Sequence, residues 1–411
     1  MRGSWRIGRI AGIEIGIHYT WLLALFIFTW LLGEGFSTNY PGWQSYLYYI
    51  TGFLATITLF ISVLVHELAH SLVARARGLP VSSITLFILG GVSNLTEEPE
   101  KPGVEFVMAI VGPLTSLALG IIFWIIWFLI TKTWVLPIFS INIPAAKQTL
   151  GVAVIGFLAY TNIALTIFNL LPGFPLDGGR VFRSILWRAS GNLLKATNIA
   201  ATVGRIVGWG FMALGVILAI FTQFGFVNGL WFVFIGWFLN SAADNSRYEA
   251  TLREHLTGVL VGQVMEKEVE SVRSDTYISE LVQTIFIQKR KRAIPVVDAD
   301  NLVGVVTISD VKAVPQEKWP ITPVSQVMHR EPIHAVKPED DLNAAMKIIA
   351  QYDLNQIPVL SQRKLVGVLT RADVINYLNL SQELNIKGRP KANSPGAEVK
   401  RSEIESISFD F

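Results

Sequence analysis

Two histidines and a glutamate lie within one short sequence, HELAH, at residues 66–70. On a helix, residues i and i+4 share a face, so His66 and His70 can present two imidazoles to one metal ion. Glu67 can then act as a general base on a water molecule bound to that ion. This spacing predicts a zinc-dependent hydrolase. The alternative is that both histidines lie at a helix end, where they interact with the helix dipole.

A catalytic zinc ion usually has three protein ligands and one open position for water, so a third ligand is expected elsewhere. The chain has no cysteine, which leaves His, Asp and Glu. Asp177 lies in NLLPGFPLDGGR, residues 169–180, where two prolines interrupt a helical pattern. An aspartate before two glycines is often a turn or a helix cap. Glu105 and Asp244 lie only at the ends of other apolar stretches, whereas Asp177 lies at a helix break on the same membrane side as HELAH, so we favour Asp177 as the third ligand.

The segments that carry these residues are predicted to be transmembrane helices. The chain is 51% hydrophobic and 16% charged, whereas an ordinary soluble domain has about 25% charged residues. A membrane-spanning helix needs roughly 20 mostly apolar residues. Six stretches fit that requirement: about 19–33, 48–72, 104–131, 150–171, 203–222 and 225–243. An ionisable cluster inside such a stretch indicates a functional site, because its burial in lipid is costly.

Basic residues predict how these spans are oriented. Those at the N-terminus, after the second span and after the fourth span fall on one face: Arg2, Arg6, Arg9, Arg75, Arg77, Arg180, Arg183, Arg188 and Lys195. The positive-inside rule makes that face cytoplasmic, together with both termini. The basic, amphipathic segment 178–195 is expected to lie along the membrane surface. The net charge of +3 is too small to indicate direct nucleic-acid binding.

Residues 81–95, VSSITLFILGGVSNL, are apolar and β-branched but too short to cross a bilayer. Gly90 and Gly91 interrupt them. Non-helical backbone at membrane depth is tolerated only where protein or a water-filled cavity satisfies it. The pattern therefore favours a re-entrant β-hairpin near HELAH, with an unpaired edge that can accept another strand. A surface loop between two helices fits the pattern equally well.

HELAH followed by NLLPGFPLDGG resembles the paired motifs of the site-2 protease family, the intramembrane zinc metalloproteases of peptidase family M50. The resemblance covers most of residues 1–245. It implies one zinc ion (Zn²⁺) held by His66, His70 and Asp177, with Glu67 activating the water. The implied substrate is a single-span membrane protein, cleaved within or near its transmembrane segment in the lipid bilayer.

The same resemblance assigns further residues. Asn169 occupies the family's Asn-x-x-Pro position and is implied to steady the tetrahedral intermediate. LFILGG resembles the family's membrane-associated strand, so Gly90 and Gly91 are implied to bind an extended substrate. His18 matches a histidine near the first helix of family members that have a C-terminal regulatory domain. A polar residue at a membrane interface is the simpler interpretation of His18.

The second half of the chain contains an internal repeat. Matching residues in the two copies are 63 positions apart: Met265 and Met328, Pro295 and Pro358, Gly304 and Gly367, Asp310 and Asp373. Two copies at a fixed spacing indicate one structural unit repeated. The copies resemble cystathionine-β-synthase (CBS) domains over about residues 261–380, which implies a paired sandwich with clefts for adenine nucleotides.

GVVTISD and GVLTRAD match the nucleotide-binding pattern of CBS domains, Gly-x-x-Thr/Ser-x-x-Asp. The resemblance implies that Asp310 and Asp373 bind ribose, and that Thr307 and Thr370 contact phosphate or ribose. Alternatively, each Thr and Asp caps the helix that follows, and both roles can hold together. A homodimer through the CBS domains is left open by the sequence.

The expected fold is a polytopic α-helical membrane domain of about six transmembrane helices with a re-entrant β-hairpin, followed by a soluble α/β CBS pair. The expected boundaries are a protease domain at 1–245, a linker at 246–260, CBS domains at 261–318 and 319–380, and a flexible tail at 381–411. The compact form and the CBS pair favour a prokaryotic inner membrane, with the CBS pair in the cytoplasm.

Two other functions compete with a protease regulated by its CBS pair. One is a CBS-regulated transporter or channel, whose ion pathway would use the buried His, Asp and Glu. Transporters are often built from two related halves, and the membrane half of this chain contains no such repeat. The other is a catalytically inactive relative, which is disfavoured because the three ligands and Glu67 are all present.

Overall fold

The computed structural model describes residues 4–88, 90–95, 98–134, 148–221, 226–330 and 333–384. The chain divides into two compact units, Met1–Tyr248 and Glu249–Phe411. The expected C-terminal tail lies outside the described residues from position 385 onward. The two units are therefore described separately.

Seven helices are described before the repeat: α1 Thr20–Asn39, α2 Ser45–Ala76, α3 Pro102–Thr131, α4 Leu150–Asn169, α5 Asp177–Ser190, α6 Leu193–Phe221 and α7 Phe226–Leu256. Within the described ranges, five of them (α1, α2, α3, α4 and α6) are long and apolar enough to cross a membrane. The expectation of a polytopic helical membrane domain is thus confirmed, with five such helices instead of six.

The sixth expected span falls in α7, which is helical but is not among the five. Its apolar part is interrupted by Asn228 and Asn240, and the helix continues through charged residues to Leu256. The apolar run between the two asparagines reaches about 16 Å at roughly 1.5 Å per residue. The hydrocarbon core is about 30 Å thick. A crossing by α7 remains a prediction.

A four-stranded sheet packs against the membrane helices. Its strands are β1 Ser4–Ile10, β2 Ile13–His18, β3 Val81–Phe87 and β4 Gly90–Leu95, in the order β1-β2-β3-β4. The expected hairpin is present as β3 and β4, so the interpretation of residues 81–95 as a plain loop was wrong. The β1–β2 hairpin was not predicted, and β2 pairs with β3 in parallel.

The sheet is fixed to α2 by apolar packing and by one hydrogen bond. Ile13, Ile15 and Ile84 are buried against Leu64 and Leu68 of α2. These two leucines lie on either side of the first histidine of HELAH. Arg75, near the end of α2, donates a hydrogen bond to the carbonyl oxygen of Ala11 in the β1–β2 turn. The sheet is thereby held next to the HELAH turns of α2.

The second unit contains two similar halves. The first half holds α8 Val261–Val264, α9 Ile278–Glu280 with the π-helix Leu281–Gln288, β5 Ala293–Asp298, β6 Asn301–Thr307 and α10 Ile308–Lys312. The second half holds α11 Leu342–Gln351, β7 Gln356–Ser361, β8 Lys364–Thr370 and α12 Arg371–Glu383. Their strands form one sheet in the order β5-β6-β8-β7, which agrees with the expected α/β CBS pair.

The two halves exchange their leading segments. Leu256 and Val259, which precede the first half in sequence, and Val261, which begins it, are buried in the core of the second half. In turn, Val324 is buried in the core of the first half. Residues 246–260, expected to be a linker, therefore include the end of α7 and two side chains of the second core.

The exchange extends to the matched methionines. A Cβ atom at Gly367 would lie 2.5 Å from Sδ of Met265, and one at Gly304 would lie 2.6 Å from Sδ of Met328. Each methionine thus occupies the space that a side chain would need on the glycine of the other half. This explains why Met and Gly recur together at the repeat spacing.

Candidate metal centre

Three side chains expected to bind zinc converge in the first unit. Nε2 of His66 and Nε2 of His70 are 3.1 Å apart. Oδ2 of Asp177 lies 3.1 Å from the first nitrogen and 3.2 Å from the second. Within the described part of the chain, these three residues form the one group of His, Asp and Glu side chains placed to share a metal ion.

The spacing of the three atoms fits zinc. Two ligands bound tetrahedrally at about 2.0–2.1 Å lie about 3.3 Å from each other. The observed separations of 3.1–3.2 Å are close to that value. His66 and His70 are 4% and 7% exposed, respectively. Both histidines are therefore shielded from solvent.

The opposite ring nitrogens are held by α3. Nδ1 of His70 lies 2.6 Å from the carbonyl oxygen of Met108. A carbonyl only accepts, so Nδ1 carries the proton and the lone pair of Nε2 faces Asp177. Nδ1 of His66 lies 2.9 Å from Oγ of Ser116. Such outer partners fix the tautomer and the ring orientation of metal-binding histidines.

Gly112 of α3 leaves room beside the two imidazoles. A Cβ atom at this position would lie 2.1 Å from Nε2 of His70 and 2.7 Å from Nε2 of His66. Both distances are shorter than real Cβ contacts. Any other residue would therefore enter the space where the three ligand atoms converge.

Glu67 lies between the histidines and the β-hairpin. Oγ of Ser93, on β4, donates a hydrogen bond of 2.7 Å to Oε2 of Glu67, and Oγ of Ser71 donates one of 3.1 Å to Oγ of Ser93. A Cβ atom at Gly91 would lie 2.6 Å from Cγ of Glu67. The backbone of β4 thus approaches Glu67 closely, which only glycine permits at that point.

Asp177 is the first residue of α5, and the turn before it is tightly packed. A Cβ atom at Gly178 would lie 2.4 Å from the carbonyl oxygen of Leu170, and one at Gly179 would lie 2.3 Å from the carbonyl carbon of Gly173. The two glycines allow the chain to fold back on itself. Asp177 is thereby placed against α2.

Two other expected residues are not part of this group. Asn169 is the last residue of α4 and is half-buried. His18 is at the end of β2, where its Nδ1 lies 2.9 Å from Oγ1 of Thr20 at the start of α1. The hydrogen bonds of the described residues do not connect either side chain to the three ligand atoms. His18 thus contacts the start of α1, and its position at a membrane interface remains a prediction.

Sequence reasoning missed Met108, Gly112, Ser116 and Ser93. Met108 contacts His70 through its backbone carbonyl. Every residue type has this group, so the sequence gives no signal for it. Gly112 and Ser116 lie in an apolar stretch where small residues ordinarily serve helix packing. Ser93 alone had a usable signal, since its place in the expected hairpin put it near HELAH.

In the repeat, the expected nucleotide residues cap helices. Asp310 accepts hydrogen bonds from the backbone N–H and the hydroxyl of Thr307, each 2.7 Å long. Asp373 accepts the equivalent bonds from Thr370 at 2.9 and 2.7 Å. The capping role is therefore present in both copies, and nucleotide binding remains a prediction.

Comparison with known proteins identifies the class. Residues 54–211 match the model of Peptidase family M50. Residues 261–317 and 324–380 each match the CBS domain. Because relatives at least 32% identical align over nearly the whole chain, the protein belongs to peptidase family M50, the site-2 protease family, and carries two CBS domains. The resemblance inferred from the motifs is confirmed.

The relatives include Rip3 of Mycobacterium tuberculosis, which is 32% identical over 92% of this chain and 94% of its own length. The sll0528 protein of Synechocystis is 33% identical over 93% and 97%. Both are named as candidate zinc metalloproteases. Among solved structures, a site-2 protease from Methanocaldococcus jannaschii is 28% identical, covers 59% of this chain and 95% of its own, and gives a TM-score of 0.39.

Proposed function

We propose that the protein is a zinc endopeptidase that hydrolyses a peptide bond within or near the transmembrane segment of a single-span membrane protein. One observation carries the proposal. Two imidazole nitrogens and one carboxylate oxygen converge at 3.1–3.2 Å, with the separate carboxylate of Glu67 beside them. This is a donor set for one zinc ion per chain plus a general base. His66, His70 and Glu67 lie on α2, which is long and apolar enough to cross a membrane, and Asp177 begins α5.

The ligands would be His66, His70 and Asp177. When bound, zinc supplies a water molecule whose pKa is lowered to about 7 and polarises the scissile carbonyl group. Glu67 takes the proton of the attacking water and later donates it to the leaving amine. Ser93 holds Oε2 of Glu67 in a hydrogen bond, which leaves Oε1 for the water.

Asn169 is proposed to donate a hydrogen bond to the developing oxyanion. The support is its place in the family's Asn-x-x-Pro pattern, eight residues before Asp177. Removal of one such donor typically costs about 10²–10³ in kcat.

The edge of β4 is the proposed substrate-binding strand. A transmembrane helix keeps its carbonyls bonded, so an unwound substrate needs replacement partners in the membrane. β4 is last in the sheet order among the described strands, and its first residues are Gly90 and Gly91. A strand added there would run past Glu67, because the Gly91 backbone lies against that side chain.

The CBS pair is proposed to regulate cleavage, with an adenine nucleotide bound near Thr307, Asp310, Thr370 and Asp373. The proposed location is a prokaryotic inner membrane, with both termini and the CBS pair in the cytoplasm. This proposal includes a membrane crossing by α7 as a sixth span, because five crossings would place the two termini on opposite sides. Basic residues after α2 and in α5 support this orientation. Arg183 contributes less than expected, because it is buried and paired with Glu105. The relatives give no support to the transporter alternative.

Glu67→Gln tests the proposal. The full chain and the variant are purified in detergent, their zinc content is measured, and each is incubated with a panel of single-span membrane proteins. We expect about one zinc per chain in both proteins and cleavage by the parent alone. Absence of zinc from the parent, or unchanged cleavage by Glu67→Gln, would contradict the assignment.

A further inference from the structure

A buried ion pair lies beside the metal centre and has no part in the chemistry described so far. Glu105, in the first turn of α3, is 0% exposed, and Arg183 of α5 is 8% exposed. Nε of Arg183 donates a hydrogen bond of 2.7 Å to Oε1 of Glu105, and its Nη2 donates to the same oxygen. The guanidinium also lies 5.0 Å from the centre of the Phe174 ring, in the turn before Asp177.

Stability alone does not explain this buried ion pair. Burial of two charges is costly, and an apolar pair of similar size often serves a protein equally well. Here one carboxylate oxygen, Oε2 of Glu105, is buried without a hydrogen-bond partner among the described residues. The ion pair instead fixes the orientation of α5 relative to α3, because a guanidinium and a carboxylate meet in a narrow range of geometries.

The orientation of α5 relative to α3 matters because α3 holds both histidines of the candidate metal centre. Glu105, Met108, Gly112 and Ser116 follow one another at spacings of three and four residues, so they form one stripe along α3. Met108 and Ser116 hold the two histidines, and Gly112 leaves room for them. Glu105 is the member of this stripe that contacts α5.

We propose that Glu105 and Arg183 are positioning residues that hold Asp177 at ligand distance from the two histidines. The inference depends on the proposed zinc site. Asp177 begins α5 and Arg183 lies further along the same helix, so a fixed contact between Arg183 and α3 sets where the helix starts. Arg183 also stacks on Phe174, so it steadies the turn that delivers Asp177.

The test compares metal binding with folding in the full chain in detergent. The variants are Glu105→Gln, which removes the charge and keeps the shape, and the double variant Glu105→Met/Arg183→Met, which leaves no unpaired buried charge. Zinc affinity is measured by competition with a chelator. The ligand geometry is read from the visible spectrum of the cobalt-substituted protein, and folding is followed by thermal unfolding of the metal-free chain.

We expect both variants to lose about tenfold in zinc affinity, the lower end of the effect of removing a direct partner of a ligand, because this pair acts on Asp177 only through α5 and the turn before it. The cobalt spectrum should change, because Asp177 no longer sits at a fixed distance. Asp244→Asn is the matched control, since it breaks the Arg205–Asp244 pair, whose side chains are 43% and 58% exposed. It should leave affinity and spectrum as in the parent.

The outcomes separate this inference from the proposed function. A parent that binds no zinc removes the proposed function itself. A parent that binds zinc, with a folded double variant of equal affinity and identical cobalt spectrum, overturns the positioning role and leaves the zinc site intact. Loss of affinity in the double variant, at an unfolding temperature equal to that of the parent, supports it.

Discussion

The replacement Gly112→Ala adds one methyl group at the point where the ligand atoms converge. Its Cβ atom would lie 2.1 Å from Nε2 of His70, whereas ordinary van der Waals contact begins at 3.4 Å. The imidazole must therefore retreat by about 1.3 Å, several times the roughly 0.2 Å tolerance of a metal–ligand bond. The hydrogen bond from His70 to the Met108 carbonyl blocks that retreat.

We expect cleavage to fall about 100-fold, the usual effect of a misplacement near 1 Å. That factor corresponds to about 2.7 kcal/mol. Zinc affinity should fall with it. The metal-free protein should also lose stability, because the same overlap is present without metal and overpacking typically costs about 1–3 kcal/mol. The higher helix propensity of Ala over Gly offsets up to about 1 kcal/mol of that loss.

The assay measures zinc affinity by chelator competition, cleavage of a single-span substrate, and thermal unfolding of the metal-free protein. Gly103→Ala is the control on the same helix, because a Cβ atom there has no neighbour within 4 Å. It should leave zinc affinity and cleavage unchanged. If Gly112→Ala retains both within about threefold, less than 0.7 kcal/mol, the space beside the histidines is not what the site requires.

Two further substitutions test the hairpin and the repeat. Ser93→Ala removes the hydrogen bond to Glu67, so kcat should fall about tenfold while zinc content stays at the parent level. The control is Ser82→Ala, at an exposed position on β3. Equal kcat values for the two variants would contradict the role of Ser93. Thr307→Ala removes a helix cap and should destabilise the CBS pair by about 1 kcal/mol. An unchanged denaturant midpoint for that unit would show that the cap contributes nothing.

The convergence of the three proposed metal ligands could be anticipated because their sequence signal is local. His66 and His70 lie one helical turn apart, and Asp177 belongs to a recognisable turn. The supports of these ligands could not, because Ser116 and Met108 reach the histidines only through the packing of α3 on α2. Their residue types also suit ordinary helix packing, so nothing in the sequence distinguishes the two uses.

Two features were not predicted from the sequence: strand β2 and the burial of Arg183. Ile13, Ile15 and Ile17 alternate with other residues, which is the period of a β-strand. That signal is present in the sequence, but it is short, because β2 has only six residues. Arg183 was predicted to lie at the membrane surface, because it belongs to a basic, amphipathic segment. Only its contact with Glu105, 78 residues away, reveals otherwise.

The exchange of segments between the two CBS halves constrains how the protein is made. Met265 packs on Gly367, so the first half emerges from the ribosome about 100 residues before part of its own contact surface. At roughly 5–20 residues per second, it waits about 5–20 s. During that interval, Leu256, Val259 and Val261 lack the core that buries them. The pair therefore completes its fold only after synthesis of both halves, and a chain truncated between them would expose this apolar segment to chaperones and proteases.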